Sequence, residues 1–259
     1  NSIVFSTILV VLVFVPLFAS HRFLEIDAVV PALIAFVAFG LCASGVYVLN
    51  DLLDLPSDRA HPRKRKRPFA AGSLPLLHGL AAAPLLTLAG FALAVAVSWT
   101  FAGVLLGYYA MTLAYSLRLK RVVMVDVVLL AGLYTIRIIG GAAAIGAGLS
   151  FWLLGFSMFL FLSLALLKRY TELSAMLANG QEKASGRGYT VDDLPLIQSL
   201  GAASGYCAVM VFALYINSPE SLELYRRPQV LWLICPLLLY WISPAWVNAH
   251  RGAMDDGPV

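Results

Sequence analysis

Long apolar segments, each about the length of a membrane-spanning helix, alternate with short polar connections along the chain. About twenty apolar residues in a helix cross a hydrocarbon core of about 30 Å. The polar–apolar alternation of a membrane β-barrel is absent, so we expect the spans to be helices. The pattern predicts eight of them, at residues 3–19, 28–49, 74–98, 101–117, 123–146, 150–167, 191–216 and 229–248.

Composition agrees with this pattern. Hydrophobic residues make up 61% of the 259 residues and charged residues 12%, whereas a soluble domain has about 25% charged residues. We therefore predict an all-α, polytopic membrane bundle in which residues 1–259 form a single domain. Residues 1–19 lack the small-residue cleavage site of a signal peptide, so we interpret them as the first span. The three cysteines lie in apolar segments without a CxxC spacing and are predicted to be packing residues.

Positive charge is concentrated in alternate connections. Fourteen of the eighteen Lys and Arg residues lie in one set, formed by residues 50–73, 118–122, 168–190 and the tail after 248. The opposite connections, 20–27 and 217–228, contain only three Lys or Arg residues. The positive-inside rule therefore places the cation-rich connections and both termini in the cytoplasm, with the protein in the cell (inner or plasma) membrane.

Several helix starts have recognisable capping residues. Ser73 and Ser150 are predicted to cap the helices that follow them. Thr190 and Asp193 have the spacing of a capping box, which predicts that a helix begins there.

The second span ends in a stripe of polar side chains. Asp51, Asp54 and Asp58 are spaced three and four residues apart, so a continuous helix would place them on one face, with Asn50 one turn before Asp54. Neighbouring carboxylates repel one another unless a cation lies between them. Mg²⁺ prefers oxygen ligands and commonly bridges carboxylates to substrate phosphates. The stripe therefore indicates a Mg²⁺ site, with a solvated helix end as the alternative.

The segment after the stripe changes both backbone and charge. Pro56 removes a helical hydrogen bond, which predicts that the helix ends or kinks near Leu55 and that Asp58 reaches the metal from a loop. Six cations follow, at Arg59, Arg63, Lys64, Arg65, Lys66 and Arg67. Such cations fix topology or contact anionic lipid, and next to Mg²⁺ they would also neutralise a diphosphate. The residues alone leave both roles open.

Two charged residues lie inside the fifth span. Asp126 and Arg137 are costly in lipid and are expected to face an interior cavity. Eleven residues make about three turns, so the two share a face but lie about 16 Å apart along the axis, too far to pair with each other. Tyr134 lies one turn from Arg137. Substrate contact and an ion pair with another span are the alternatives.

The acidic stripe resembles a known family motif. Asn50, Asp51, Asp54 and Asp58 match the NDxxDxxxD motif of the UbiA superfamily of intramembrane prenyltransferases, and the resemblance extends over nearly the whole chain. In that superfamily the motif binds Mg²⁺ and the diphosphate of an isoprenoid substrate, and the helices enclose a cavity open to the bilayer. Nine spans are usual, so the resemblance implies this fold here and a last helix beyond Val259.

One expected motif is missing. Ordinary members carry a second Asp-rich motif after the sixth span, where this chain reads "KRYTELSAMLANGQEK". No Asp occurs between Asp126 and Asp192. This departure argues against an aromatic prenyltransferase that uses a prenyl diphosphate donor.

A branch of the superfamily has the same departure. "HPRKRKRPFAAG", "YSLRLKRVVMVDVVLLAGLYTIRIIGG" and "KRYTEL" resemble stretches of the decaprenyl-phosphate phosphoribosyltransferases. The resemblance implies Mg²⁺-dependent transfer of 5-phosphoribose from phosphoribosyl diphosphate (PRPP) to a polyprenyl phosphate, with release of diphosphate. The partners would be these two substrates and the lipid bilayer, with no nucleic acid.

The resemblance also implies residue roles. The residues that would hold Mg²⁺ and the diphosphate are Asn50, Asp51, Asp54 and Asp58. The cations that would hold donor phosphates are Lys64, Arg67, Lys120, Lys168 and Arg169. Ribose hydroxyls, or the orientation of the cations, would fall to Asp126 and Glu172, although Lys168 and Glu172 could also pair with each other. The lipid phosphate or the 5-phosphate would meet Tyr115, Tyr134, Arg137 and Tyr170.

Two other functions remain as alternatives. The first is a conventional prenyltransferase that transfers a polyprenyl group from its diphosphate to an aromatic or quinone precursor. The second is a non-enzymatic lipid transporter, which intramembrane charges alone would permit. The transporter leaves the acidic stripe unexplained, and activity without Mg²⁺ would be its signature.

Overall fold

The computed structural model describes residues 10–60, 64–178, 180 and 188–253, apart from the side chains of Ser57, Ala60 and Lys64. Regular secondary structure in these ranges is helical throughout. The α-helices, numbered α1 to α10, are Val15–Ala19, Ile26–Leu53, Leu55–Ala60, Leu76–Val97, Trp99–Leu117, Val125–Ile145, Phe151–Ala178, Leu194–Ile216, Pro219–Leu224 and Ile234–His250. Short 3₁₀ turns are Val11–Phe14, Lys64–Lys66, Leu119–Arg121, Val191–Asp193 and Pro228–Leu233.

Seven helices in the described part of the chain are long and apolar enough to cross a membrane. They are α2, α4, α5, α6, α7, α8 with the turn before it, and α10 with the turn before it. These helices confirm the second to eighth predicted spans and an all-α, multi-pass membrane protein. Residues 3–9 of the first predicted span lie outside the described residues, and the rest of that span is helical from Val11 to Ala19.

The second span breaks where the sequence predicts. Helix α2 ends at Leu53, and the N–H of Asp54 closes it by donating to the carbonyl of Asn50 at 2.8 Å. A new helix, α3, begins at Leu55 with Pro56 in its first turn, where a missing N–H costs no hydrogen bond. Asp58 therefore lies on a short helix, which corrects the expectation that it lies in a loop.

Two of the three predicted caps form. Thr190 and Asp193 make the capping box, with the Thr190 N–H donating to Asp193 Oδ2 at 2.9 Å. Ser150 Oγ accepts from the N–H of Leu153 at 3.3 Å. The Ser73 prediction is wrong, because Pro75 is the N-cap of α4 and the Ser73 hydroxyl donates to a carbonyl in the preceding turn.

The chain divides into two compact units, each with its own packing. The first comprises Asn1–Ser116 and Ile136–Gly148, and the second comprises Leu117–Thr135 and Leu149–Val259. In the first unit, α2 and α4 pack closely through glycines. A Cβ on Gly45 would lie 2.7 Å from Thr87 Oγ1, and one on Gly90 would lie 2.7 Å from Cys42 Sγ. Small residues of this kind allow close approach of membrane helices.

The second unit is built on α7, α8 and α10. Ser163 donates to the carbonyl of Gly201 at 2.7 Å and accepts from Trp246 Nε1 at 3.2 Å. The ring of Trp246 lies directly over Gly201, where a Cβ would overlap it. Trp246 is buried and also packs against Tyr170, so its ring has little room to move.

Gly201→Ala is expected to destabilise the protein by about 1–3 kcal/mol, the usual cost of overpacking a well-packed core. The added methyl group would push the Trp246 ring away from its hydrogen bond with Ser163. Thermal unfolding in detergent measures the effect. Gly103→Ala is the matched control, because a Cβ there meets nothing within 4 Å. Equal melting temperatures for the two variants would contradict the prediction.

Candidate active site

The predicted acidic stripe lies in the first unit, together with one of the predicted cations. Asp51 Oδ1 lies 2.9 Å and Asp58 Oδ2 lies 2.8 Å from the same atom, Nη1 of Arg67. Asp58 is only 2% exposed, so Arg67 compensates a carboxylate that is almost removed from solvent. We call Asp51, Asp54, Asp58 and Arg67 the acidic cluster.

Local packing brings Arg67 to the carboxylates. The N–H of Ala71 donates to the carbonyl of Arg67 at 2.8 Å, which closes a turn. Phe69 in that turn is buried, and its ring packs so closely on α4 that a Cβ at Gly79 would lie 2.7 Å from it. At the other side, Asn50 Nδ2 donates to Ser116 Oγ at 3.0 Å and joins the end of α2 to the end of α5.

The structure does not gather Asp51, Asp54 and Asp58 into a three-carboxylate centre. Among the described residues, no group of three or more His, Cys, Asp or Glu side chains could hold a metal ion. The break at Asp54 is the physical reason, because it ends the continuous face that the spacing implied. Nevertheless two carboxylate oxygens converge on one cationic nitrogen, so these residues can share a single positive ion. A Mg²⁺ site here stays a prediction.

A second polar cluster lies in the second unit. Asp126 is fully buried and Arg169 is 2% exposed, and Arg169 Nη2 donates to Asp126 Oδ2 at 2.6 Å. Arg169 Nη1 also donates to Glu172. The hydroxyl of Tyr189 donates to Asp126 Oδ1 at 2.6 Å. Both oxygens of Asp126 are thus used, and we call these four residues the Asp126 cluster.

The Asp126 cluster contains the ion pair that one of the two alternatives for Asp126 described. The partner of Asp126 is a cation on another span, α7, as the ion-pair alternative predicted. Glu172, which the sequence analysis paired with Lys168 as one possibility, contacts Arg169, three residues before it on α7. These contacts leave the predicted substrate roles of Asp126, Arg169 and Glu172 untested.

Tyr189 is the member of the cluster that the sequence analysis missed. Its hydroxyl accepts from the N–H of Met124 at 2.8 Å, and its ring lies 5.5 Å from the guanidinium carbon of Arg169. Burial, together with the hydrogen bond to Asp126, raises the pKa of Tyr189, so the hydroxyl stays protonated and donates. Gly188 allows this approach, because a Cβ there would lie 2.7 Å from Val123. The position of Tyr189 directly before the capping box was the available signal.

Tyr189→Phe is expected to lower the free energy of unfolding by about 1–3 kcal/mol, because it leaves the buried Asp126 and the Met124 N–H each short of a partner. Tyr206→Phe is the matched control, since it removes a hydroxyl that bonds to Ser243 at an exposed position. Thermal unfolding in detergent compares the two variants. A loss of stability no larger than that of Tyr206→Phe would show that the buried Tyr189 hydroxyl stabilises the fold no more than an exposed one.

The first unit also contains a buried cation. Arg137 Nη2 donates to the Tyr108 hydroxyl at 3.1 Å, and the guanidinium carbon lies 5.3 Å from the centre of that ring. Phe39 packs edge-on against Tyr108 with ring centres 5.0 Å apart. Tyr108 therefore both packs against Phe39 and orients Arg137. The predicted phosphate contact of Arg137 remains a prediction.

The other predicted site residues have separate surroundings. Tyr134 packs edge-on against Phe161. Tyr170 is buried, and its hydroxyl lies 3.1 Å from His250 Nδ1. Three more predicted residues are partly buried: Tyr115 near the end of α5, Lys120 in the turn after it, and Lys168 within α7. The side chain of Lys64 lies outside the described residues, and its backbone belongs to the Lys64–Lys66 turn.

Solved structures share this fold. The apo structure of a UbiA homolog from Aeropyrum pernix K1 superposes with a TM-score of 0.70 at 18% identity, covering 95% of this chain and 90% of that one. A UbiA homolog from Archaeoglobus fulgidus bound to DMAPP and Mg²⁺ gives a TM-score of 0.67 at 17% identity, covering 86% of this chain and 75% of that one.

Relatives with higher sequence identity include proteins of bacteria. Uncharacterized protein y4nM of Sinorhizobium fredii is 38% identical over 96% of this chain and 48% of its own length. Nodulation protein NoeC of Azorhizobium caulinodans is 35% identical over 86% of this chain and 73% of its own length. Decaprenyl-phosphate phosphoribosyltransferase of Mycolicibacterium smegmatis is 35% identical over 69% of this chain and 56% of its own length. The chain thus spans about half the length of y4nM and of the mycobacterial protein.

The family model described as the UbiA prenyltransferase family matches residues 5–179. This range contains both clusters except for Tyr189, and it covers more than half of the chain. Together with the helical architecture, the match shows that the chain belongs to the UbiA prenyltransferase family.

Proposed function

We propose that this membrane transferase moves 5-phosphoribose from PRPP to a polyprenyl phosphate and releases diphosphate, in a reaction that depends on Mg²⁺. The observation that carries the proposal is a pair of cations in the C-terminal half of α7. Where ordinary family members have a second aspartate motif, this chain has Lys168 and Arg169, and Arg169 is buried against Asp126. A cationic group at this place suits a phosphate of the substrate better than a second metal ion. The mycobacterial relative named decaprenyl-phosphate phosphoribosyltransferase supports the same reaction.

The acidic cluster would hold the metal. Asp51 and Asp58 already direct oxygens at one cation, and Asp54 and Asn50 lie at the same helix end. When bound there, Mg²⁺ would stabilise the charge of the departing diphosphate. Arg67 and Lys64 would bind donor phosphate oxygens as charge-assisted donors.

The bond changes require little proton transfer. An oxygen of the acceptor phosphate forms a bond to C1 of the ribose while the C1–diphosphate bond breaks, and the leaving electron pair stays on diphosphate. The acceptor oxygen is ionised at neutral pH, so no strong general base is needed. The rate gain would come from positioning and electrostatic stabilisation, with attack opposite the diphosphate inverting C1.

The remaining charged residues would bind the other anionic groups. Arg137, oriented by Tyr108, is assigned to the lipid phosphate or to the 5-phosphate of the donor. Lys120, Lys168 and Arg169 are assigned to donor phosphates, as the resemblance implies. Asp126 and Glu172 orient Arg169 through the contacts seen in the structure. Because PRPP is water-soluble and the cation-rich connections are assigned to the cytoplasm, the reaction is placed on the cytoplasmic side.

A paired assay on the purified protein in detergent with Mg²⁺ tests the proposal. One sample contains PRPP and a polyprenyl phosphate, and the other contains a polyprenyl diphosphate and 4-hydroxybenzoate. We expect mass spectrometry to show a phosphoribosylated lipid in the first sample, lost on addition of EDTA. A prenylated aromatic in the second sample would overturn the proposal in favour of a conventional prenyltransferase. Lipid movement between vesicles without Mg²⁺ and without product in either sample would favour a transporter.

A further inference from the structure

Arg67 occupies the position of a counter-ion to the acidic cluster. A single nitrogen, Nη1, lies within 3 Å of one oxygen of Asp51 and one oxygen of Asp58. A metal ion that bound both carboxylates would lie about 2.0–2.1 Å from their oxygens. If it bound these same two oxygens from the side of Arg67, it would occupy the space of the guanidinium nitrogen, and two cations there would also repel each other. Arg67 and Mg²⁺ therefore compete for the same carboxylates.

The side chain of Arg67 can leave without disturbing its backbone. The turn that carries it is anchored by the buried ring of Phe69 on α4 and by the hydrogen bond from Ala71. The Arg67 side chain itself is 33% exposed, unlike the buried Arg169 of the Asp126 cluster. A long, flexible side chain on a fixed turn can exchange one anionic partner for another nearby.

We infer that Arg67 is a displaceable counter-ion that couples metal binding to diphosphate binding. Without substrate, Arg67 neutralises Asp51 and Asp58 and keeps the affinity for free Mg²⁺ low. When a metal–diphosphate complex binds, Asp51 and Asp58 would hold the metal, and Arg67 would transfer its hydrogen bonds from these carboxylates to the phosphate oxygens. This inference rests on the proposed function, because it assumes that the acidic cluster binds the metal of a metal–diphosphate complex.

The consequence is a binding order. Free metal binds weakly because it must break two charge-assisted hydrogen bonds, each stronger than a neutral one. Diphosphate alone binds weakly because it meets two carboxylates. The two together bind well, since every charge then has a partner. The site would thus admit the metal–diphosphate complex of the donor in preference to either component.

Electron paramagnetic resonance of Mn²⁺, a probe for the Mg²⁺ site, tests the inference on the whole chain in detergent. Free Mn²⁺ is titrated alone and with inorganic diphosphate. Arg67→Gln is expected to bind Mn²⁺ alone at least about tenfold more tightly than wild type, as expected when a competing charged hydrogen bond is removed. With diphosphate present, Arg67→Gln should lose this advantage. Arg226→Gln removes one positive charge at an exposed position in the connection 217–228, so it is the control and should behave as wild type.

The outcomes separate this inference from the proposed function. Mn²⁺ binding that Asp54→Asn does not weaken would overturn the metal assignment itself, and with it the proposed function. Binding that Asp54→Asn abolishes but Arg67→Gln leaves unchanged would overturn only the role of Arg67. Arg67→Lys keeps a positive charge and is expected to bind Mn²⁺ alone much as wild type does. If Arg67→Gln fails to fold, Arg67→Lys provides the test. Binding of Mn²⁺ alone by Arg67→Lys that is tenfold tighter than by wild type would contradict competition by charge.

Discussion

Replacing Asp126 with asparagine will lower the free energy of unfolding by about 3–5 kcal/mol, the usual cost of removing one partner of a buried ion pair. The change leaves Arg169, which is 2% exposed, without the carboxylate that lies 2.6 Å from its Nη2. It also removes the negative charge from the side chain that accepts the hydrogen bond of the Tyr189 hydroxyl. The loss should appear as a large fall in the melting temperature in detergent.

The double variant Asp126→Asn/Arg169→Gln provides the decisive comparison. If the cost of the single variant is an uncompensated buried charge, removal of the second charge should restore about half of the lost stability or more. Asp27→Asn is the matched single control, because Asp27 forms a salt bridge with Arg22 but is 77% exposed. Such exposed pairs contribute about 0–1 kcal/mol. A double variant no more stable than Asp126→Asn would contradict the explanation.

This result also determines how activity data on the Asp126 cluster are interpreted. Asp126 was selected from the sequence because a carboxylate in a span is costly and so indicates function. The structure shows that this carboxylate also has a structural role, since Asp126 joins α6 to α7 and to the segment before α8. Activity of the variants therefore has to be compared at equal folded fraction before a substrate role is assigned.

The spans were predictable because each depends on local composition. The predicted span 101–117 corresponds to Trp99–Leu117, and 28–49 corresponds to Ile26–Leu53. Larger errors occur where a helix leaves the membrane. Helix α7 was predicted to end at residue 167 but continues to Ala178, because backbone hydrogen bonding does not stop where hydropathy falls and the following Leu, Glu, Met and Ala residues favour helix.

The two clusters differ in how far the sequence could predict them. The acidic cluster is local, since Asp51 and Arg67 are sixteen positions apart and Asp58 lies between them. A charge pattern can therefore indicate it, although the sequence did not show that Arg67 would occupy the carboxylates. Asp126 and Tyr189 are 63 positions apart. Only the packing of α6, α7 and the loop before α8 brings them together, and no periodicity contains that information.

Asp54→Asn is expected to decrease kcat/KM for PRPP by at least about 100-fold, while the fold stays unchanged. If Asp54 is a metal ligand, loss of its charge removes part of the several kcal/mol that a metal contributes to transition-state stabilisation, and about 3 kcal/mol already corresponds to more than a factor of 100. The fold should tolerate the change because asparagine has the same shape as aspartate and Asp54, the C-cap of α2, has φ −86° and ψ 3°, the conformation of the third residue of a type I turn.

Asp27→Asn separates this effect from a general effect of charge. It makes the same chemical change in the first turn of the same helix, α2, at the opposite end from the acidic cluster. Its expected effect on transfer is less than about twofold, because surface changes away from a site alter stability by only about 0.5 kcal/mol. Initial rates at increasing Mg²⁺ concentration should show that excess metal does not rescue Asp54→Asn fully. Activity within tenfold of wild type in Asp54→Asn would mean that the regular spacing of the stripe reflects a helix end and that the diphosphate is bound by cations alone.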